Sequence, residues 1–176
     1  ADESFTGGDV DFKTQLTKIK SSGADCLFLP IYYTEVGYIS EQAATVGVSL
    51  PYFGCDGWDG VINQLGGNTA NIEGATFLTP FVANSSNEKV KAFVEAYNKA
   101  YNATPDQFAA DAYDGVYVIK ALLETTGGDI SNEALIGAMT KITVDGATGS
   151  MSFTADGEPN KSAMVAVIQN GEYVGK

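Results

Sequence analysis

The chain contains neither arginine nor histidine, and its 10 basic side chains are all lysines. Against 22 Asp and Glu residues, they leave a formal net charge of −12. Binding to a phosphate backbone depends on clustered Lys and Arg, so this charge balance argues against nucleic acid as a partner. The missing histidine removes the usual general base, the Ser-His-Asp triad and most zinc sites. We therefore expect a protein that is not an enzyme and that holds no metal or cofactor.

Cysteine and long hydrophobic runs are also scarce. One of the two cysteines, Cys26, begins an apolar run, and the other, Cys55, ends a later one. If both runs are parallel strands, opposite strand ends are too far apart for a disulfide, so we expect two free thiols. No segment reaches the roughly 18 apolar residues of a membrane-spanning helix.

The first half of the chain alternates between helical and strand patterns. Apolar spacing predicts a helix that ends at Gly23 and a second helix capped by Thr34. The apolar run from Cys26 is typical of a parallel strand covered on both faces. Strands are predicted at 26–31, 51–54 and 75–78, with a third helix at 57–65. This alternation indicates an α/β fold in which helices flank a Rossmann-like parallel sheet.

The second half carries three predicted helices followed by β structure. Ser85 and Glu88 have the spacing of a capping box at the start of the first of these helices. The helix after Pro105 has an apolar band too wide for a half-exposed helix, so we expect it to be largely buried. Ser131 begins the third helix, and Asn170-Gly171 predicts a hairpin.

The order of these elements predicts a sequence that begins inside a larger protein. A helix comes first, where a parallel βα series starts with a strand, and the three later helices have few strands to pack against. The alternative is that Ala1 to Phe5 supply a short first strand. We expect part of the sheet to come from elsewhere, and the sequence leaves open whether the N-terminal half is cleaved, omitted, or present as a second chain or a swapped copy.

Two side chains stand where neighbouring predicted strands end. Tyr32 follows the run that begins at Cys26, and Asp56 follows the run that ends at Cys55. In open α/β sheets, ligands bind outside the carboxyl ends of the strands, so Tyr32 and Asp56 are the best candidate functional pair. The alternatives are that Asp56 serves turn chemistry or caps a helix, and that Tyr32 shields a sheet edge.

Five motifs in succession carry a resemblance to a known family. In order, the motifs are Gly-Gly-Asp-Val-Asp-Phe, Gly-Ala-Asp-Cys-Leu-Phe, Tyr-Phe-Gly-Cys-Asp-Gly, Phe-Ala-Ala-Asp-Ala-Tyr-Asp-Gly and Gly-Ser-Met-Ser-Phe-Thr-Ala-Asp-Gly. Through them the chain resembles the later half of a solute-binding protein of the branched-chain amino acid (Leu/Ile/Val) family. These are periplasmic-type receptors that feed ABC importers.

The resemblance implies a type I periplasmic binding protein architecture, in which two lobes close on a ligand. Residues 1–79 and 160–176 would form the second lobe, and 80–159 part of the first. The implied function is capture of a free amino acid, branched-chain or similar, for delivery to the membrane permease of an ABC importer. The implied location is extracytoplasmic, either the periplasm or the surface of a Gram-positive cell as a lipoprotein.

The resemblance also assigns ligand contacts. Asp56 matches the acidic residue that receives the ligand's ammonium group, and Tyr32 matches an aromatic that lines the pocket. Phe108 falls where the first lobe presents an aromatic side chain to the ligand, although ordinary helix core is the alternative there. Tyr33, Trp58 and Tyr113 are adjacent to these positions.

Two other functions stay open from the sequence. The same fold serves as the ligand-sensing module of some receptors. A receiver-like phospho-acceptor would also place an aspartate at a strand end, but it needs further carboxylates for Mg²⁺ and a lysine after a later strand. The later strand here ends in Leu78-Thr79-Pro80.

Overall fold

The computed structural model describes all 176 residues, from Ala1 to Lys176. Its helices are α1 (Lys13–Ser22), α2 (Tyr33–Val46), α3 (Val61–Gln64), α4 (Glu88–Tyr101), α5 (Gln107–Thr126) and α6 (Asn132–Met139). Its strands are β1 (Leu27–Leu29), β2 (Tyr52–Gly54), β3 (Thr76–Thr79), β4 (Thr143–Gly146), β5 (Gly149–Phe153), β6 (Pro159–Lys161), β7 (Met164–Gln169) and β8 (Glu172–Gly175). No helix combines the length and the apolarity needed to cross a lipid bilayer.

The chain divides into two compact units. Unit 1 contains Ala1–Thr79 and Val165–Lys176, and unit 2 contains Pro80–Met164. The assignment of the chain to two lobes, with 1–79 and 160–176 in one and 80–159 in the other, stays a prediction.

Unit 1 is built on a five-stranded sheet with the order β1-β2-β3-β7-β8. Strand β2 pairs in parallel with both β1 and β3, and β8 pairs antiparallel with β7. The predicted α/β class with a parallel sheet and flanking helices is confirmed. The predicted hairpin is also confirmed, because Asn170 and Gly171 both adopt the positive φ that a tight turn between β7 and β8 requires.

One face of this sheet is covered and the other is open. Alternate residues of the three parallel strands are buried, including Leu29, Tyr52 and Phe77. The residues between them are exposed, namely Phe28, Phe53 and Leu78. The prediction that the strand from Cys26 is covered on both faces is therefore wrong for this chain. A continuous apolar run predicts cover on both faces, but it does not identify the element that would cover each face.

The helices of unit 1 follow their predicted pattern with local differences. Helix α1 ends at Gly23 in the left-handed conformation, as predicted. Helix α2 begins one residue before Thr34, and its N-cap is Tyr32, so the capping role predicted for Thr34 is wrong. The predicted helix at 57–65 is divided into a 3₁₀ turn, Asp56–Trp58, and the short α3. Gly60, with φ 105°, breaks the helical path between them.

Unit 2 packs α4, α5 and α6 with an antiparallel sheet of order β4-β5-β6. Helix α6 begins after Ser131, whose side chain accepts a hydrogen bond from the Ala134 amide as predicted. Helix α4 is capped by Asn87 rather than by Ser85, so the predicted capping box is wrong. The Asn87 side chain accepts a hydrogen bond from the Lys89 amide at 2.8 Å. The helix therefore begins two residues later than a cap at Ser85 would place it.

Helix α5 is less buried than its sequence predicts. Ala110 and Leu122 lie in the core of unit 2, but Val116, Tyr117 and Ile119 are exposed. The prediction of a largely buried helix is wrong for this chain. The apolar band of α5 is wide enough to pack against neighbours on two sides of the helix. The rest of unit 2 covers only part of this band.

Candidate functional site

The carboxyl ends of β1 and β2 lie side by side, because the last residues of the two strands, Leu29 and Gly54, pair in register. Asp56 follows β2 as the first residue of the 3₁₀ turn, and Tyr32 follows β1 as the N-cap of α2. The backbones after the two strands are in close contact. A Cβ atom added at Gly57 would lie 3.3 Å from Tyr32 Cα. The structure therefore brings Tyr32 and Asp56 to one edge of the sheet, as predicted from the order of the strands.

Asp56 is exposed, and the structure shows no hydrogen bond or ion pair for its carboxylate. The N-cap of the 3₁₀ turn is Cys55 and that of α3 is Gly60, and neither helix has a side-chain cap. Asp56 thus does not perform the capping that was the alternative to a binding role. Its negative charge is not neutralised within the chain, so it can accept a cationic group from a ligand.

Tyr32 presents its side chain at the same edge. Its backbone is extended, with φ −85° and ψ 161°, and its carbonyl accepts the first helical hydrogen bond of α2 from the Val36 amide at 3.1 Å. The side chain is 64% exposed. An aromatic face held at the start of a helix and next to a carboxylate can contact a cation and the apolar part of a ligand.

Phe108 lies in unit 2, where it is the second residue of α5. The helix starts there because the Asp106 side chain accepts a hydrogen bond from the Ala109 amide at 2.8 Å. Phe108 is 36% exposed, so it is not simply a core residue. Its contact with a ligand stays a prediction.

Of the adjacent aromatics, Trp58 cannot line a pocket, because its side chain is fully buried. Its indole Nε1 donates to the Leu29 carbonyl at 2.9 Å. Tyr113 belongs to unit 2, where its ring packs at a tilt against Phe93 with a centroid distance of 4.8 Å. A hydrogen bond to Tyr117, at 3.1 Å, is the main cause that raises the pKa of Tyr113.

Tyr173 stabilises the backbone just after the 3₁₀ turn of Asp56 by accepting hydrogen bonds from it. The sequence did not indicate this role. Its phenol oxygen accepts hydrogen bonds from the backbone amides of Gly60, at 3.0 Å, and Ile62, at 3.2 Å. Burial raises the pKa of Tyr173 to about 12, so it is neutral at physiological pH. The pattern of an apolar strand predicts that Tyr173 is partly buried, but not that it contacts a turn more than a hundred residues away.

Residues 1–172 match the family model of the periplasmic binding proteins. The chain belongs to the periplasmic binding protein family. The branched-chain amino acid resemblance of the sequence is confirmed by its relatives. Leu/Ile/Val-binding protein homolog 3 of Brucella melitensis is 30% identical over 157 residues, which cover 89% of this chain and 42% of that protein.

Solved structures of binding proteins have the same fold. The leucine-binding protein LivK of Thermotoga maritima is 29% identical with a TM-score of 0.84, over 98% of this chain and 49% of that one. LivJ of Streptococcus pneumoniae, solved with isoleucine, is 33% identical with a TM-score of 0.81, over 100% of this chain and 52% of that one. This periplasmic binding protein chain spans less than half the length of the curated relatives that it matches.

The receiver-like alternative finds no support in this geometry. A Mg²⁺ site of that kind needs several carboxylates together. The structure groups no three His, Cys, Asp or Glu side chains where they could hold a metal ion.

Proposed function

We propose that this chain supplies the ammonium-recognising part of an amino acid receptor. In this proposal Asp56 accepts the ligand's α-ammonium group and Tyr32 covers it with its ring. The observation that carries the proposal is the exposed Asp56 carboxylate, which has no cationic partner and stands beside Tyr32 where two parallel strands end. Ligands of open α/β sheets bind at this edge.

The chemistry favours a zwitterionic amino acid over a simple carboxylic acid. A hydrogen bond between an ammonium and a carboxylate is shorter and stronger than one between neutral groups. A ligand with a carboxylate alone would instead meet repulsion from Asp56 at this edge. The ligands named for LivK and LivJ, leucine and isoleucine, support an aliphatic side chain.

Phe108 of unit 2 is proposed, on the family resemblance, as an aromatic that contacts the ligand side chain. Its partial exposure at the first turn of α5 is compatible with this role. An apolar contact of this kind adds affinity in proportion to the buried area, so Phe108→Ala should weaken a large aliphatic ligand more than a small one.

The receptor acts by binding alone in this proposal, without catalysis. It captures the amino acid outside the cytoplasm and delivers it to the membrane permease of an ABC importer. Membership in the periplasmic binding protein family and the names of the relatives support this role.

Titration calorimetry on the natural-length protein that carries this sequence tests the proposal. The panel contains leucine, isoleucine, valine, threonine and alanine, with 4-methylpentanoate as the leucine skeleton without its ammonium group. We expect at least one aliphatic amino acid to bind at micromolar Kd or tighter and 4-methylpentanoate to bind much more weakly. Asp56→Ala should lose at least about thirtyfold in affinity, because a paired charge in a binding site contributes about 2 kcal/mol or more.

Asp25→Asn is the matched control, because Asp25 is an exposed carboxylate at the opposite end of β1. It removes the same charge from the same sheet, and its affinity should equal that of the unmodified protein. Equal affinity of the unmodified protein and the Asp56→Ala variant would overturn the site. Failure of every amino acid in the panel to bind would overturn the function.

A further inference from the structure

Trp58 connects the turn that carries Asp56 to the neighbouring strand. It is the last residue of the 3₁₀ turn, and its amide donates to the Cys55 carbonyl at 3.1 Å across Asp56. Its indole Nε1 donates to the carbonyl of Leu29, the last residue of β1, at 2.9 Å. A single buried side chain thus fixes the turn after β2 to the end of β1, the strand that leads to Tyr32.

Two glycines make this close approach possible. A Cβ atom at Gly54 would overlap the Trp58 indole, so the ring lies directly against the backbone of β2. A Cβ atom at Gly57 would lie 2.7 Å from the Ile31 carbonyl oxygen, so the residue after Asp56 lies directly against the backbone before Tyr32. The turn is therefore packed tightly on two sides, against the backbone of β2 and against the backbone that follows β1. This packing leaves the turn little freedom to shift.

For the position of the turn, the direction of the indole N–H bond matters more than the burial of the ring. The ring already packs against Tyr52 and Phe77, with centroid distances of 6.2 and 6.1 Å, and a phenyl ring would keep those apolar contacts. The N–H adds a directional bond, which ties the ring to the Leu29 carbonyl at the end of β1. Binding groups must be held within about 0.5 Å of their working position, and Asp56 is two residues from this anchor.

We propose that Trp58 is a positioning residue that holds Asp56 in register with Tyr32 for recognition of an ammonium group. The inference rests on the proposed function. Trp58 then contributes to ligand affinity, and not only to protein stability, although its buried side chain does not touch the ligand.

A double-mutant cycle on the natural-length protein tests this inference, with leucine as the probe. Trp58→Phe, Asp56→Asn and the double variant are titrated, and far-UV circular dichroism verifies that each is folded. Trp58→Phe should weaken the binding of leucine about tenfold, which corresponds to the net free energy of about one hydrogen bond. In the Asp56→Asn background the same substitution should change the affinity less than about twofold, because the group that Trp58 positions is no longer charged.

Two further variants keep the test decisive. Gly57→Ala perturbs the turn from its other side, where the added methyl group would meet the Ile31 carbonyl oxygen, and its effect on leucine affinity should likewise disappear in the Asp56→Asn background. Tyr52→Phe is the control, since Tyr52 packs on the same indole but belongs to β2, and it should leave the affinity unchanged.

The outcomes separate the inference from the proposed function. If the unmodified protein binds leucine but Trp58→Phe and Gly57→Ala weaken it equally in both backgrounds, Trp58 acts only through general stability and the inference is overturned. An unchanged affinity of both variants would also overturn it. If the unmodified protein binds no amino acid, the proposed function fails first.

Discussion

Asp114 allows the sharpest prediction about stability, because its carboxylate is buried and accepts three hydrogen bonds. They come from the backbone amides of Ala147 and Thr148, both at 2.8 Å, and from Thr148 Oγ1 at 2.5 Å. Asp114 lies on α5, and its partners lie in the turn between β4 and β5, so it attaches this hairpin to the helix. A Cβ atom at Gly146 would overlap the carboxylate, so the carboxylate lies directly against the backbone of the hairpin.

Asp114→Ala should therefore be strongly destabilising. It leaves two buried amides without an acceptor, and each unsatisfied group costs about 1–3 kcal/mol. We expect a loss of about 3–5 kcal/mol in the free energy of unfolding, and a Tm lower by roughly 10 °C at about 2–4 °C per kcal/mol.

Urea unfolding followed by far-UV circular dichroism measures this loss. Asp111→Ala is the matched control on the same helix, where the carboxylate pairs with Lys161 at 2.8 Å and is partly exposed. A pair of this kind contributes about 0–1 kcal/mol. Equal losses from the two variants, or a loss below about 1 kcal/mol from Asp114→Ala, would refute this account of the hairpin.

Two further predictions concern the support of the Asp56 turn. Burial raises the pKa of Tyr173 from its ordinary 10.0 to about 12, so the stability that its neutral form provides is complete below pH 10 and is lost as the pH rises to 12. Tyr173→Phe should lower stability at neutral pH by about 1–3 kcal/mol, because it removes the acceptor for two amides, and should flatten the decline between pH 10 and 12 in denaturant titrations. An unchanged slope would contradict this. Gly54→Ala should destabilise by about 1–3 kcal/mol, because its methyl group overlaps the Trp58 indole, whereas Gly115→Ala meets open space on α5 and should be neutral or slightly stabilising. A Gly54→Ala variant as stable as Gly115→Ala in thermal unfolding would disprove the close approach.

Local signals in the sequence predicted most of the fold. Gly23 ends α1 and Asn170-Gly171 turns the last hairpin because each requires a positive φ that few other residues adopt. Ser131 begins α6 through a hydrogen bond within four residues of chain. The start of α4 was misassigned because Ser85, Ser86 and Asn87 can all cap a helix, and packing selects among them.

The sequence predicted less about burial and about the support of the site. The apolar residues Phe28 on β1 and Ile119 on α5 are exposed, although their patterns predicted cover, because a pattern does not identify the element that covers it. Tyr32 and Asp56 could be placed at one edge because parallel strand order determines which loops meet. The contacts of Trp58 with Leu29 and of Tyr173 with Gly60 could not be predicted, since they join residues that are distant in the chain.

A crystal structure of the natural-length protein with isoleucine tests the central claim most directly. It measures the distance between the ligand's ammonium nitrogen and the Asp56 carboxylate. The account predicts a charge-assisted hydrogen bond of about 2.7–2.9 Å, with the Tyr32 ring within about 6 Å of the same nitrogen. An isoleucine bound with its carboxylate at this edge, or with its ammonium group on another side chain, would contradict the account.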